Sequence, residues 1–225
     1  MKPFHRALLQ QQSGGAAPVA AGFKAMESYI TSASAGTVDF SALNPAEGDL
    51  CVVVATGGNS VANSGALTGY TRVTSANSNG GVHHKVLADG ETTFAYANSG
   101  SVAYFGVVLF TGCSFTSGDY NQCASLGGSN STTAQSPGSR TAAIGSFLVA
   151  AVSGTDGSAV SAGSFAPTPL ASDEAGSAGT SQKNGATAVY EGTGAGINAI
   201  HTHASSWAYS SNAGRYAAYA IIDPT

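Results

Sequence analysis

Charge is scarce in this chain: 9% of its 225 residues are Asp, Glu, Lys or Arg, where an average soluble domain has roughly 25%. Eight Lys and Arg residues, spread over the whole length within a net charge of −4, exclude nucleic acid as a direct partner, because that recognition needs clustered cations that displace counterions. No apolar run approaches the roughly 20 residues with which a helix crosses a bilayer, so no membrane span is expected. Lys2, His5 and Arg6 stand near the start, but no apolar stretch of signal-peptide length follows them, which gives no reason to expect secretion.

Cysteine is nearly missing. Cys51, Cys113 and Cys123 are an odd number without metal-site spacing. Cys51 sits in a valine run and reads as a small buried hydrophobe. Cys113 and Cys123 flank one segment; a bridge between them stays open, because sequence gives no Cα separation and a reducing compartment would keep both as thiols.

Apolar residues, by contrast, make up 43% of the chain, and disordered chains combine low hydrophobicity with high charge. Ser, Thr, Asn and 30 Gly supply the polarity. A strand-turn-strand pattern occurs twice. The first copy runs Asp49-Leu50-Cys51-Val52-Val53-Val54-Ala55, Asn79-Gly80-Gly81, Val82-His83-His84-Lys85-Val86-Leu87 and Asp89-Gly90. The second runs Ser146-Phe147-Leu148-Val149-Ala150-Ala151-Val152, Asn184-Gly185, Ala186-Thr187-Ala188-Val189-Tyr190 and Thr193-Gly194. Each closes on a further apolar strand, Val102 to Phe110 and Tyr216 to Ile222. Short strands punctuated by turn signals predict an all-β, antiparallel β-sandwich, jelly-roll-like, built from two pseudo-repeated halves.

Candidate strands are Ala25–Ser32, Thr37–Phe40, Asp49–Ala55, Thr71–Ser75, Val82–Leu87, Thr92–Ala97, Val102–Thr111, Ser146–Ser153, Ala186–Glu191, Ala199–Ala204 and Arg215–Ile222. Those near Val53, Val107 and Val149 are apolar on both faces and belong in the middle, covered on both sides. Asn-Gly and Asp-Gly predict tight hairpins and consecutive antiparallel pairing. Gly112–Thr141 and Gly154–Lys183 read as long polar loops of the kind that carry function or pack on a partner. The expected division is an arm and linker over 1–22 and a sandwich over 23–225, with pseudo-repeats at about 37–112 and 142–223. In the arm, Lys2 to Gln12 has helical spacing that groups Phe4, Leu8 and Leu9. So short a helix needs a surface to lie on, which makes these three residues candidates for docking.

Catalytic signals are weak. There is no Gly-x-Ser-x-Gly elbow. Gly192-x-Gly194-x-Gly196 lacks the Lys and Ser/Thr of a phosphate loop and reads as the second copy's turn. Asp173-Glu174 is an adjacent acidic pair that reads as a solvated loop. His201 and His203, two apart on a strand, project to one face and form the one pair with a metal reading; solvated polar residues are the plainer alternative. His83-His84 points to opposite faces. Trp207 and Tyr209, with Tyr216 and Tyr219, form either a sugar-contacting patch or sandwich packing. No enzyme activity and no cofactor are expected.

The order of motifs resembles a β-sandwich module common in tailed-bacteriophage virion proteins and related prophage sequences. The matching residues are Gly48-Asp49-Leu50, Gly69-Tyr70-Thr71-Arg72-Val73, His84-Lys85-Val86-Leu87-Ala88-Asp89-Gly90-Glu91, Thr93-Phe94 and Val102 to Phe110. The resemblance implies a structural virion protein on the particle surface, a tail fibre or tail-tip appendage contributing to host attachment. A capsid decoration protein and a carbohydrate-binding module are its alternatives. It also implies other virion proteins as partners, self-association, with a trimer among the arrangements allowed, and a host-surface glycan as a further ligand. It carries over no catalytic residue.

Overall fold

The computed structural model describes residues 21–31, 35–57, 67–73, 80–97, 103–122, 131–156, 163–176, 182–208 and 215–225. The first half holds β1 (Gly22–Thr31), β2 (Ala35–Asp39), β3 (Leu50–Gly57), β4 (Thr71–Val73), β5 (Gly80–Val86), β6 (Thr93–Ala97) and β7 (Ala103–Thr111). The second holds β8 (Cys113–Gln122), β9 (Ser131–Gln135), β10 (Ser139–Thr141), β11 (Phe147–Asp156), β12 (Ser164–Ala166), β13 (Ala171–Gly176), β14 (Gln182–Glu191), β15 (Gly196–Asn198), β16 (Ile200–Ala208) and β17 (Arg215–Pro224). A 3-10 turn, Ser41–Leu43, is the only helical element among the described residues. The fold is all-β and antiparallel, as the alternating apolar runs predict.

Pairing is nested rather than sequential. In the first half β1 pairs β7, β2 pairs β6 and β3 pairs β5, within a sheet ordered β1-β7-β3-β5-β4. The second half repeats this as β8 with β17, β10 with β15, β9 with β16, and β11 with β14, its sheet ordered β13-β14-β11-β17-β8. First strand beside last, second beside next-to-last, is the winding of a jelly roll. The halves therefore start at β1 and at β8, ahead of the expected repeat starts at about 37 and 142 by one strand and by three.

The two five-stranded sheets stack face to face, so the molecule has four layers. Val38, Phe94 and Tyr96 of β2 and β6 cover one face of the first sheet, against Val53, Phe105 and Val107. The other face, with Val52, Val54 and Val108, meets Val149, Ala151, Val189 and Ala220 of the second sheet. Leu148, Ala150, Ala188 and Tyr190 on that sheet's outer face lie under Phe165, Ile197 and Ala199. This is why β3, β7 and β11 read as continuous apolar runs: both of their faces are buried.

Two expectations fail. The span Gly112–Thr141 is not one loop but carries β8, β9 and β10, and Gly154–Lys183 carries β12 and β13. These are edge and outer-layer strands whose solvated side chains leave no apolar alternation to read. Asn184-Gly185 is not a hairpin turn either; it lies inside β14, opposite Gly154 and Ser153. Gly185 is there for space, since a Cβ would stand 2.5 Å from the Tyr104 ring of the facing sheet. Asp89-Gly90 does turn, with Gly90 at φ +70°, and Gly194 at φ +74° occupies the matching place in the second half.

Candidate functional site

Strand register gives the molecule two unlike ends. Leu50 at the start of β3 pairs with Phe110, whose ring lies 6.1 Å from Phe23 near the start of β1 and 5.4 Å from Phe147 at the start of β11. Ala21, through which the arm joins the sandwich, therefore sits at this end, packed beside Gly112 where the first half passes into the second. The amide of Thr225 donates to the Gly112 carbonyl here as well. Val86, Ile144 and Leu170, 60%, 83% and 50% exposed, are the large exposed apolar residues among those described. All three neighbour this arm end, Val86 opposite Leu50, Ile144 leading into β11, and Leu170 bonded to the carbonyl of Val189. The strand ends that flank residues 123–130, 157–162, 177–181 and 209–214 lie at the other end, as does Gly57 at the close of β3.

A cavity of about 360 Å³ opens at the arm end on the outer side of the second sheet, lined by Pro167, Pro169, Leu170, Tyr190, Glu191 and Ile197 among others. Tyr190 is 3% exposed, and its hydroxyl has no hydrogen-bond partner among the described residues. Burial pushes its pKa up, so it stays a neutral donor and acceptor. A buried hydroxyl left unpaired costs about 1–3 kcal/mol, and the Tyr190 side chain lines this cavity.

A second, more polar cleft of about 180 Å³ holds Glu174 and His201. His201 Nε2 lies 3.4 Å from Glu174 Oε2, and the Gly163 amide donates to both oxygens of that carboxylate at 3.1 Å. Burial depresses His201 to about 4 and raises Glu174. At neutral pH the contact is therefore a neutral imidazole beside a carboxylate, not an ion pair. Gly163 permits it, because a Cβ there would stand 2.5 Å from Nε2. Phe165 closes the ring's other side edge-on at 4.6 Å.

Of the residues singled out from sequence, His201, Tyr219, His83 and His84 have described side chains. His201 is buried, not on a solvated face. His203 and Trp207 lie on β16, but their side chains fall outside the described residues, as do Phe4, Leu8, Leu9, Tyr209 and Cys123. Among the described residues no three His, Cys, Asp or Glu side chains are grouped to hold a metal. Tyr219 is half-buried, with the Arg140 guanidinium 4.3 Å from its ring centre. His83 and His84 do face opposite ways: His83 is fully buried, whereas His84 stacks on Phe115 of the second half at 4.0 Å.

Sequence reading missed the acids that matter structurally. Asp173 and Glu174 are on β13, not in a solvated loop, and Asp173 accepts the Ser28 amide of β1 at 2.7 Å, tying the two sheets' edges together. Asp49, 1% exposed, accepts from Lys24 Nζ at 2.6 Å, Thr111 Oγ1 at 2.7 Å and the Ala46 amide at 2.9 Å. The available signal was the Gly-Asp step just before a β3 run with no polar position.

Comparisons with known proteins return nothing: no protein-family model, no curated protein and no solved structure matches the chain.

Proposed function

We propose that this chain is a structural, non-enzymatic virion protein of a tailed bacteriophage, a tail fibre or tail-tip appendage contributing to host-surface attachment. The observation that carries this reading is the molecule's polarity. The arm joins at one end, beside Gly112, and the exposed apolar residues Val86, Ile144 and Leu170 lie toward that same end, which suits a contact surface. The opposite end receives the strands that flank the Ser-, Gly- and Asn-rich connections. Connections held up by a rigid scaffold are where binding functions concentrate. Four stacked β-layers with few charged groups suit a component that offers shape and durability rather than reactive chemistry.

A capsid decoration protein is the second reading, supported by the jelly-roll winding of both halves, a fold that also builds capsid shells. Fold alone does not choose between the two jobs. Deleting residues 1–21 is expected to abolish incorporation into particles. Gold-labelled antibody on intact particles is expected to mark tails; labelled heads support decoration instead. Particles that incorporate the truncated chain normally rule out the arm as the attachment element.

A further inference from the structure

We propose that the cavity at Tyr190 is the seat of the chain's own N-terminal arm, taking the apolar side chains Phe4, Leu8 and Leu9 from the same copy or a neighbouring one. Five features point to this occupant. The walls formed by Pro167, Pro169, Leu170 and Ile197 are apolar, and half of Leu170 faces solvent. The buried Tyr190 hydroxyl has no partner among the described residues. A purely apolar occupant would leave it so, whereas a peptide brings carbonyl and amide groups that satisfy it.

Charge agrees. Residues 1–20 contain Lys2 and Arg6 and none of the chain's twelve acidic residues; the remaining six basic and twelve acidic residues leave the body at −6. Glu191 stands exposed at the cavity, so a cationic arm meets an anionic rim. Reach agrees too. Ring contacts in the core, Phe23 with Phe110 and Phe110 with Phe147, measure the straight-line separation from the arm's entry to the start of β11, where Phe147 pairs with Glu191. Adding about 7 Å for the extended step from Ala21 to Phe23 and a strand spacing of about 5.5 Å, the straight-line span is on the order of 25 Å. The twelve residue steps from Leu9 to Ala21 extend to about 40 Å. Finally, the helical spacing in Lys2 to Gln12 is too short to persist alone and needs an apolar surface.

This inference shares the arm with the attachment role proposed above, so its test uses purified full-length protein and is read apart from particle incorporation. Leu8→Cys combined with Leu170→Cys is treated with a short bismaleimide, beside each single variant and beside Leu8→Cys with Thr37→Cys, an exposed position on β2. A cross-linked product well above these controls is expected. An internally linked monomer assigns the arm to its own cavity and a linked dimer to a neighbour's, and either supports the proposal. In a second measurement, Phe4→Ser/Leu8→Ser/Leu9→Ser in the full chain is expected to speed hydrogen exchange at residues 167–170 and 190–197 at least fivefold. Cross-linking no higher than the controls, or unchanged exchange, overturns it.

Discussion

Asp49 illustrates what each of the few charges in this chain does. Burial alone would raise its pKa, but donation from Lys24, Thr111 and the Ala46 amide outweighs that and holds the carboxyl below its usual range. The second half reverses the pair. Ser146 stands where Asp49 does, Asp223 stands where Thr111 does, and hydrogen bonds from Ser146 and Thr116 keep Asp223 below its ordinary value. The hydroxyl and carboxylate have exchanged strands while the bond between them is kept. Asp49→Ala strands Lys24, Thr111 and a backbone amide, and is expected to cost about 3 kcal/mol, measured by urea denaturation. Asp49→Asn should retain part of this.

His83 and His201 give the protein a predictable acid response. Burial pushes both from 6.5 down to about 4, with the Arg72 guanidinium adding to the effect at His83. Both are neutral in the fold and would bind a proton on unfolding once pH drops below 6.5. Stability is therefore full above that value and falls between about 6.5 and 4, by up to about 1.4 kcal/mol per pH unit for each histidine. Glu174, whose carboxyl is raised by burial, acts in the opposite sense and favours the fold on acidification. Denaturation midpoints at pH 7, 6, 5 and 4 should show the decline, and His201→Gln should remove about half of its slope. A flat profile across that window would show that neither ring is neutral and buried.

At the scale of elements, the apolar interface between the two large sheets carries a polar contact, in addition to the Ser28–Asp173 bond at their edges. The Tyr104 hydroxyl on β7 lies 2.7 Å from Thr187 Oγ1 on β14 and 3.0 Å from Ser28 Oγ on β1. The close approach depends on two glycines. A Cβ on Gly106 would overlap Thr187 Oγ1, and one on Gly185 would enter the Tyr104 ring. Tyr104→Phe leaves the buried Thr187 hydroxyl and the half-buried Ser28 hydroxyl without this partner and is expected to cost about 1–2 kcal/mol. Gly185→Ala must push the sheets apart and should cost at least about 3 kcal/mol. Combining it with Tyr104→Leu should recover much of the loss, which a double-mutant cycle by chemical denaturation would measure.

At the scale of the whole molecule, the halves share a core. Val52, Val54, Val108 and Phe110 from one and Val149, Val189 and Ile222 from the other form a single cluster. Neither half can bury its inner sheet face alone. The protein is expected to unfold in one cooperative calorimetric transition, and residues 21–112 expressed alone should be insoluble or self-associated. Two resolved transitions would mean that the halves are independent units.

Much of this fold was legible because burial leaves a mark on composition. The run from Leu50 to Ala55 had to be covered on both faces, since no polar residue interrupts it, and the matching glycines at 48 and 145 announced two copies. Strands such as Ser164–Ala166 and Ala171–Gly176 were invisible, because an outer strand with one solvated face can be built from Ser, Asp and Ala, the same residues that build loops. Asn184-Gly185 misled for a related reason: a glycine chosen for space looks the same as one chosen for a turn. The cavity at Tyr190 had no sequence signal, because its walls come from the 167–170 connection, β14 and β15. Alternation and turn chemistry act within a few residues, so the sequence by itself determined the apolar strands, their buried faces and the doubling. Nested pairing, the stacking of the sheets and the grouping of Tyr190 with Leu170 join residues far apart in the chain; only close packing in three dimensions decided them.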